Sequence, residues 1–124
     1  MWRYVISGFR SMVEYYVYTD DERYAIAGCI LLDKVADVYP DYDVTKVSLN
    51  YYQSHGSKFS GKILGSIAEE DTCEHLLRAY DAFYEAFDNP KVVEFLSAKA
   101  AEQGLANPKT NGNLIRENVE NGLV

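Results

Sequence analysis

The sequence contains few of the residues that build catalytic or metal sites. It has only two cysteines, Cys29 and Cys73, and no C-x-x-C pair or ligand-spaced Cys/His set accompanies them. Both fall within predicted helices, so we expect two buried free thiols in a reducing compartment. The sequence therefore predicts neither a metal site nor a cofactor.

The sequence also lacks a long apolar run. Its most apolar stretch, residues 25–32, is far shorter than the roughly 20 residues that a membrane span requires. Residues 1–11 lack the apolar core and small-residue cleavage site of a signal peptide. We therefore expect no membrane partner and a cytoplasmic protein.

Two short patterns resemble catalytic motifs but are incomplete. Residues 56–62 match the start of a phosphate-binding loop, yet Ile63 replaces the hydroxyl that binds Mg²⁺, and the alternating pattern predicts a strand instead of a helix there. His55 lies among serines without a third group to orient it, and His75 has only Asp71 as a neighbour at helical spacing. We predict that the protein is not an enzyme.

Basic residues are scarce in the middle of the chain. The net charge is −7, and residues 12–88 hold fifteen acids against six bases, whereas residues 1–11 hold two bases and no acid. A nucleic-acid-binding protein shows the reverse pattern, so direct binding to nucleic acid is disfavoured. A basic protein partner, such as a nucleic-acid-binding enzyme, fits this charge better.

Residues 67–87 carry the clearest helical pattern, and we predict that this helix is the one on which the rest of the chain packs. Ser66 and Glu69 have the spacing of a capping box at its start. Its predicted buried face comprises Cys73, Leu76, Leu77, Tyr80, Phe83, Tyr84 and Phe87. Five acids fall within about 60° of arc beside that face, and they are Glu70, Glu74, Asp81, Glu85 and Asp88. Such a stripe is either a solvated face or a surface for a cationic partner.

A second helix is predicted over residues 20–38, because Thr19 and Glu22 have capping-box spacing and Pro40 ends the pattern. Ile26 and Ile30 lie on its polar side, together with Asp33 and Asp37. Either the helix is buried on both sides, or these four residues form an apolar contact patch with a charged rim.

Aromatic and β-branched residues predict two strands near the N-terminus, residues 2–8 and 13–18, although a single amphipathic helix over residues 3–18 also fits. Alternating residues predict a second hairpin over 46–64. The predicted fold is α+β, with the element order β-β-α-β-β-α-α and an antiparallel sheet covered on one face by helices.

Asn89 and Pro90 predict the start of another helix, and Gly104 predicts its end. We expect a single domain over residues 1–124, with residues 106–124 as a loosely packed extension.

Three functions are consistent with these patterns. The first is a small acidic protein that binds and inhibits a basic partner, as immunity proteins and phage-encoded inhibitors do, with carboxylates that mimic nucleic acid. The second is a small-molecule or nucleotide-binding domain that uses the polar face of the second hairpin, with Lys46, Tyr52, His55, Lys58 and Lys62 as contacts. The third is a homo-oligomeric assembly subunit, in its simplest form a homodimer.

Overall fold

The computed structural model describes residues 2–41 and 66–123, and these residues fold into helices without any strand. The α-helices are α1 (Trp2–Thr19), α2 (Glu22–Val38), α3 (Ser66–Phe83), α4 (Pro90–Gln103) and α5 (Gly112–Leu123). Short 3₁₀ helices follow α2 at Tyr39–Asp41 and α3 at Tyr84–Asp88. The predicted α+β fold is therefore wrong for the described residues. The predicted hairpin over residues 46–64 lies outside them.

Helix α1 replaces the two predicted N-terminal strands. Phe9 is fully buried, and other apolar residues of α1 pack against the same core at spacings of three and four residues: Val5, Ile6, Met12, Val13 and Tyr16. Burial of this helical stripe outweighs the strand preference of Tyr and Val, which depends on context.

Helix α2 contacts every other described helix. Residues 67–87 do so as well, because α3 contacts α1 and α2, and its 3₁₀ extension contacts α2, α4 and α5. The described contacts therefore agree with the prediction that the other helices pack on residues 67–87, and α2 shares this central position. Gly28 explains part of this packing, because a Cβ at that position would lie 2.2 Å from a ring carbon of Phe83. The absent side chain lets the buried Phe83 ring lie directly against the α2 backbone.

Two of the predicted helix ends are confirmed. The Asn89 side chain accepts a hydrogen bond from the Lys91 backbone N–H at 2.9 Å and caps α4, with Pro90 at its first position. Gly104 ends α4 in the left-handed conformation, φ 63°, that glycine adopts without strain.

The predicted capping box at the start of α2 is wrong. Thr19 is the last residue of α1, and the N-cap of α2 is Asp21, whose carboxylate accepts a hydrogen bond from the Arg23 backbone N–H at 3.0 Å. Asp20 connects α1 to α2 in a tight turn, with its backbone in the left-handed conformation at φ 53°.

Helix α5 packs closely against α2, in contrast to the expected loose extension over residues 106–124. Ile115 and Val119 are fully buried in the core. At Gly122 a Cβ would lie 2.5 Å from the carbonyl oxygen of Ala36, so the two helix backbones nearly touch. The described part of this C-terminal segment is thus integral to the helical core.

Candidate functional site

The acidic residues of α3 and its 3₁₀ extension lie on a solvent-exposed surface. Glu74, Asp81 and Glu85 are exposed. We call these three residues the acidic stripe. The side chain of Glu70 lies outside the described part of the structure.

Two apolar residues beside the acidic stripe are also exposed, although the sequence predicts them in the core. Leu77 is 48% exposed and Tyr84 is 47% exposed. On an α-helix both positions fall about 60–80° of arc from Glu74, between the acids and the buried side of α3. The buried side is narrower than predicted, with Leu76, Ala79, Phe83 and Phe87 fully or almost fully buried.

The described residues neutralise only part of this acidic charge. Arg78 forms an i,i+4 ion pair with Glu74 at 2.6 Å, and both side chains remain more than half exposed. Asp81 and Glu85 form no ion pair with any other described residue. As far as the described residues extend, these two carboxylates are therefore open to an external cation.

Asp88, the last predicted acid of this group, belongs to a separate cluster. Arg116 of α5 donates two hydrogen bonds to its carboxylate, at 3.1 and 2.6 Å, and two more to the carbonyl oxygen of Tyr84. The Arg116 guanidinium also lies 4.5 Å from the Tyr84 ring centroid. The hydrogen bonds from Arg116 hold the pKa of Asp88 below its ordinary value. Asp88 thus anchors α5 to the end of α3.

Asp33 and Asp37, predicted as surface contacts, point into the protein. The ammonium of Lys109 donates a hydrogen bond to each carboxylate, at 2.6 Å for Asp37, and the Asn118 amide donates to both at 2.9 Å. Asp33 is 1% exposed and Lys109 is 2% exposed. We call these four residues the buried network, and its Asp33 offers no surface to a partner protein.

The buried network holds two carboxylates against one ammonium. Burial removes the Asp33 carboxyl group from water and so raises its pKa above the ordinary value. The hydrogen bonds from Lys109 and Asn118 favour the charged form but do not reverse this shift. Asn107 extends the network by donating to Asn118 at 2.8 Å. The network ties the segment after α4 and the middle of α5 to α2.

Ile26 and Ile30 are half-buried, and both pack against the hydrophobic core. Of the two alternatives that the sequence leaves open, this packing favours burial on both sides of α2 over an exposed contact patch. Ile30 also lines a cavity of about 170 Å³ between α2 and α4, with Phe95 and Leu105 as further apolar walls.

A second cavity, of about 330 Å³, lies between the end of α2 and α5. Asp37, Asn118 and Asn121 contribute its polar lining. Asp37 and Asn118 already bond to each other and to Lys109 or Asn107. The predicted ligand contacts of the second function, Lys46, Tyr52, His55, Lys58 and Lys62, lie outside the described residues.

Neither described cysteine pairs with the other. Both thiols lie in helices and are free. Burial raises the pKa of Cys29 to about 12, so its thiol stays protonated and unreactive at neutral pH. Among the described residues, no three His, Cys, Asp or Glu side chains come together as metal ligands.

None of the described helices combines the length and the apolar character needed to cross a membrane. Comparison of the chain with protein-family models, curated proteins and solved structures found no match.

Proposed function

We propose that this protein binds a basic surface of a partner protein through the acidic stripe, and inhibits the partner by covering that surface. The observation that carries the proposal is that carboxylates without an ion pair to any described residue lie next to exposed apolar area. Asp81 and Glu85 lie beside Leu77 and Tyr84 on one solvent-facing side of the molecule.

The charges and the apolar residues have different roles in this proposal. Carboxylates attract a cationic surface over several ångströms and accelerate association, an effect that salt suppresses. Leu77 and Tyr84 provide the area that is desolvated once the partner has docked, and aromatic side chains at such positions often dominate binding energy. A nucleic-acid-binding enzyme offers a suitable basic surface, and the acids then occupy the place of phosphates.

Charge reversal on the acidic stripe tests the proposal. We expect the tagged wild-type protein to capture one stoichiometric partner from the lysate of its native host, with capture lost at roughly 1 M salt, where the Debye length is about 3 Å. The variant D81K/E85K should lose this capture, because both free carboxylates become cations.

The matched control is E94K/E117K, which reverses two exposed acids on α4 and α5 and changes the net charge equally. This control should capture the same partner as the wild type. If both double variants capture equally well at low salt, the acidic stripe is not the binding surface. Circular dichroism of each variant checks that the helices are retained.

The ligand-binding function on residues 46–64 stays a prediction, since its contacts lie outside the described residues.

A further inference from the structure

Helix α1 has an outward face that the described packing leaves open. Tyr4 is 83% exposed and Tyr18 is 86% exposed, and both lie opposite the buried side of the helix that carries Phe9. With Ser11 between them, these tyrosines fall within about 40° of arc. An amphipathic surface helix normally places charged residues on this side. The exposed tyrosines therefore need another explanation.

Helix α1 is also the least acidic of the described α-helices. Helix α1 contains two bases and one acid, whereas the chain as a whole has a net charge of −7. Its described charged side chains are Arg10 and Glu14, which form an exposed ion pair at 3.3 Å. A basic partner has little to gain at this surface. For two copies of this acidic chain, α1 is the surface where mutual repulsion is smallest.

The outward residues are arranged symmetrically along the helix. Tyr4 and Tyr18 each lie seven residues from Ser11, about 10 Å along the axis. If two α1 helices meet antiparallel about a two-fold axis at Ser11, Tyr4 of one copy lies beside the partner's Tyr18, and the same contact is repeated at the other end.

The charges of α1 suit the same arrangement. An antiparallel two-fold brings matching sides of the two helices together, so Arg10 of one copy lies about 3 Å along the axis from the partner's Glu14. Each Arg10 then has two carboxylates within reach, one in each copy. The two ion pairs combine into a neutral cluster of four charges.

We propose that this protein forms a homodimer through the outward face of α1, packed antiparallel about Ser11. This inference concerns a surface separate from the acidic stripe and does not depend on the proposed partner. A contact limited to one face of an 18-residue helix is at the lower end of the size range of specific interfaces, below about 1,200 Å² in total. We therefore expect a weak, concentration-dependent dimer.

Sedimentation equilibrium over a range from micromolar to millimolar protein tests the dimer. The wild type should change from monomer to dimer over this range. Variants R10E and E14K should each stay monomeric, because each places like charges opposite one another across the two-fold. An equimolar mixture of R10E and E14K should recover the dimer, because Glu and Lys then face each other.

General charge attraction cannot explain such a recovery. R10E makes the net charge of −7 more negative by two and E14K makes it less negative by two, so both variants remain acidic. Two results would overturn the proposal: a wild type that is monomeric throughout the range, or single variants that dimerise as the wild type does.

Removing the aromatic contacts provides a second measurement. Y4S/Y18S should weaken the wild-type dimerisation at least tenfold. F95S, which removes an exposed aromatic residue from α4, should leave it unchanged. Equal weakening by both variants would assign the contact to general hydrophobicity and contradict the two-fold arrangement.

Discussion

Lys109 is a residue whose replacement should destabilise the protein strongly. Its ammonium is the one cation in the buried network, and it separates the carboxylates of Asp33 and Asp37. Removing one partner of a buried ion pair leaves an uncompensated charge and costs about 3–5 kcal/mol. We expect K109M to lower the free energy of unfolding by that amount in urea denaturation.

Lys99 supplies the control for this prediction. It pairs with Glu102 at 3.0 Å on the surface of α4, where both side chains are about half exposed or more. Exposed pairs contribute about 0–1 kcal/mol, so K99M should change the free energy of unfolding little. Equal losses in K99M and K109M would show that the buried network does not hold the fold together.

Asp33 should give the stability an unusual dependence on pH. Its folded-state pKa is raised above the ordinary 3.8, mainly by burial. The folded state therefore binds the proton more tightly than the unfolded state. The resulting contribution to stability is present below pH 3.8 and is lost as the pH rises through the raised pKa.

D33N removes this titration and leaves the other carboxyl groups in place. We therefore expect the free energy of unfolding of the wild type, minus that of D33N, to decrease between about pH 4 and about pH 7. Urea unfolding at both pH values measures this difference. An increase over the same interval would mean that Lys109 lowers the pKa of Asp33 more than burial raises it.

The buried network marks the limit of what the sequence could reveal about single residues. Asp33 and Asp37 are one helical turn apart, and this spacing predicts that they lie on the same side of α2. Their partner Lys109 is 76 residues from Asp33 in the chain, in a polar segment without periodicity. No local pattern indicates that a lysine in such a segment is buried, so the sequence alone predicts that the two acids lie on the surface.

At the scale of the helices, two glycines show separately how helix propensity and side-chain packing affect stability. Glycine inside a helix is about 1 kcal/mol less favourable than alanine. At Gly8 of α1 a Cβ would meet no atom within 4 Å, whereas at Gly28 of α2 it would lie 2.2 Å from the Phe83 ring. The two positions should therefore respond with opposite signs to the same substitution.

We expect G8A to stabilise the protein by about 0.5–1 kcal/mol. G28A should destabilise it by about 1–3 kcal/mol, because the buried Phe83 ring has to move. Thermal unfolding at low protein concentration compares the two variants. A stabilised G28A would contradict the close packing of Phe83 on α2.

Helix α1 shows why the sequence predicted the wrong fold class. Its tyrosines and valines favour strands locally, and both a hairpin and a helix over residues 3–18 fit the pattern. The decisive feature is the buried stripe that contains Phe9, and its burial depends on contacts with α2 and α3 that local sequence does not encode. Caps were predictable where a single residue acts alone, as at Asn89 and Gly104.

At the scale of the whole molecule, charge and aromatic residues divide between two surfaces. The acidic stripe on α3 suits a basic partner, and the nearly neutral outward face of α1 suits a second copy of the chain. The regional acidity and the excess of tyrosine were evident from the sequence. Which acids have partners within the fold was not evident, because Asp33, Asp37 and Asp88 bond to residues far along the chain.

The central claim is that the acidic stripe contacts the partner. The most direct test is hydrogen–deuterium exchange of the protein, free and in complex with the captured partner. We predict that slowed exchange is concentrated in residues 74–88, which carry the acidic stripe, Leu77 and Tyr84. Unchanged exchange over residues 74–88, with protection confined to other helices, would contradict the account.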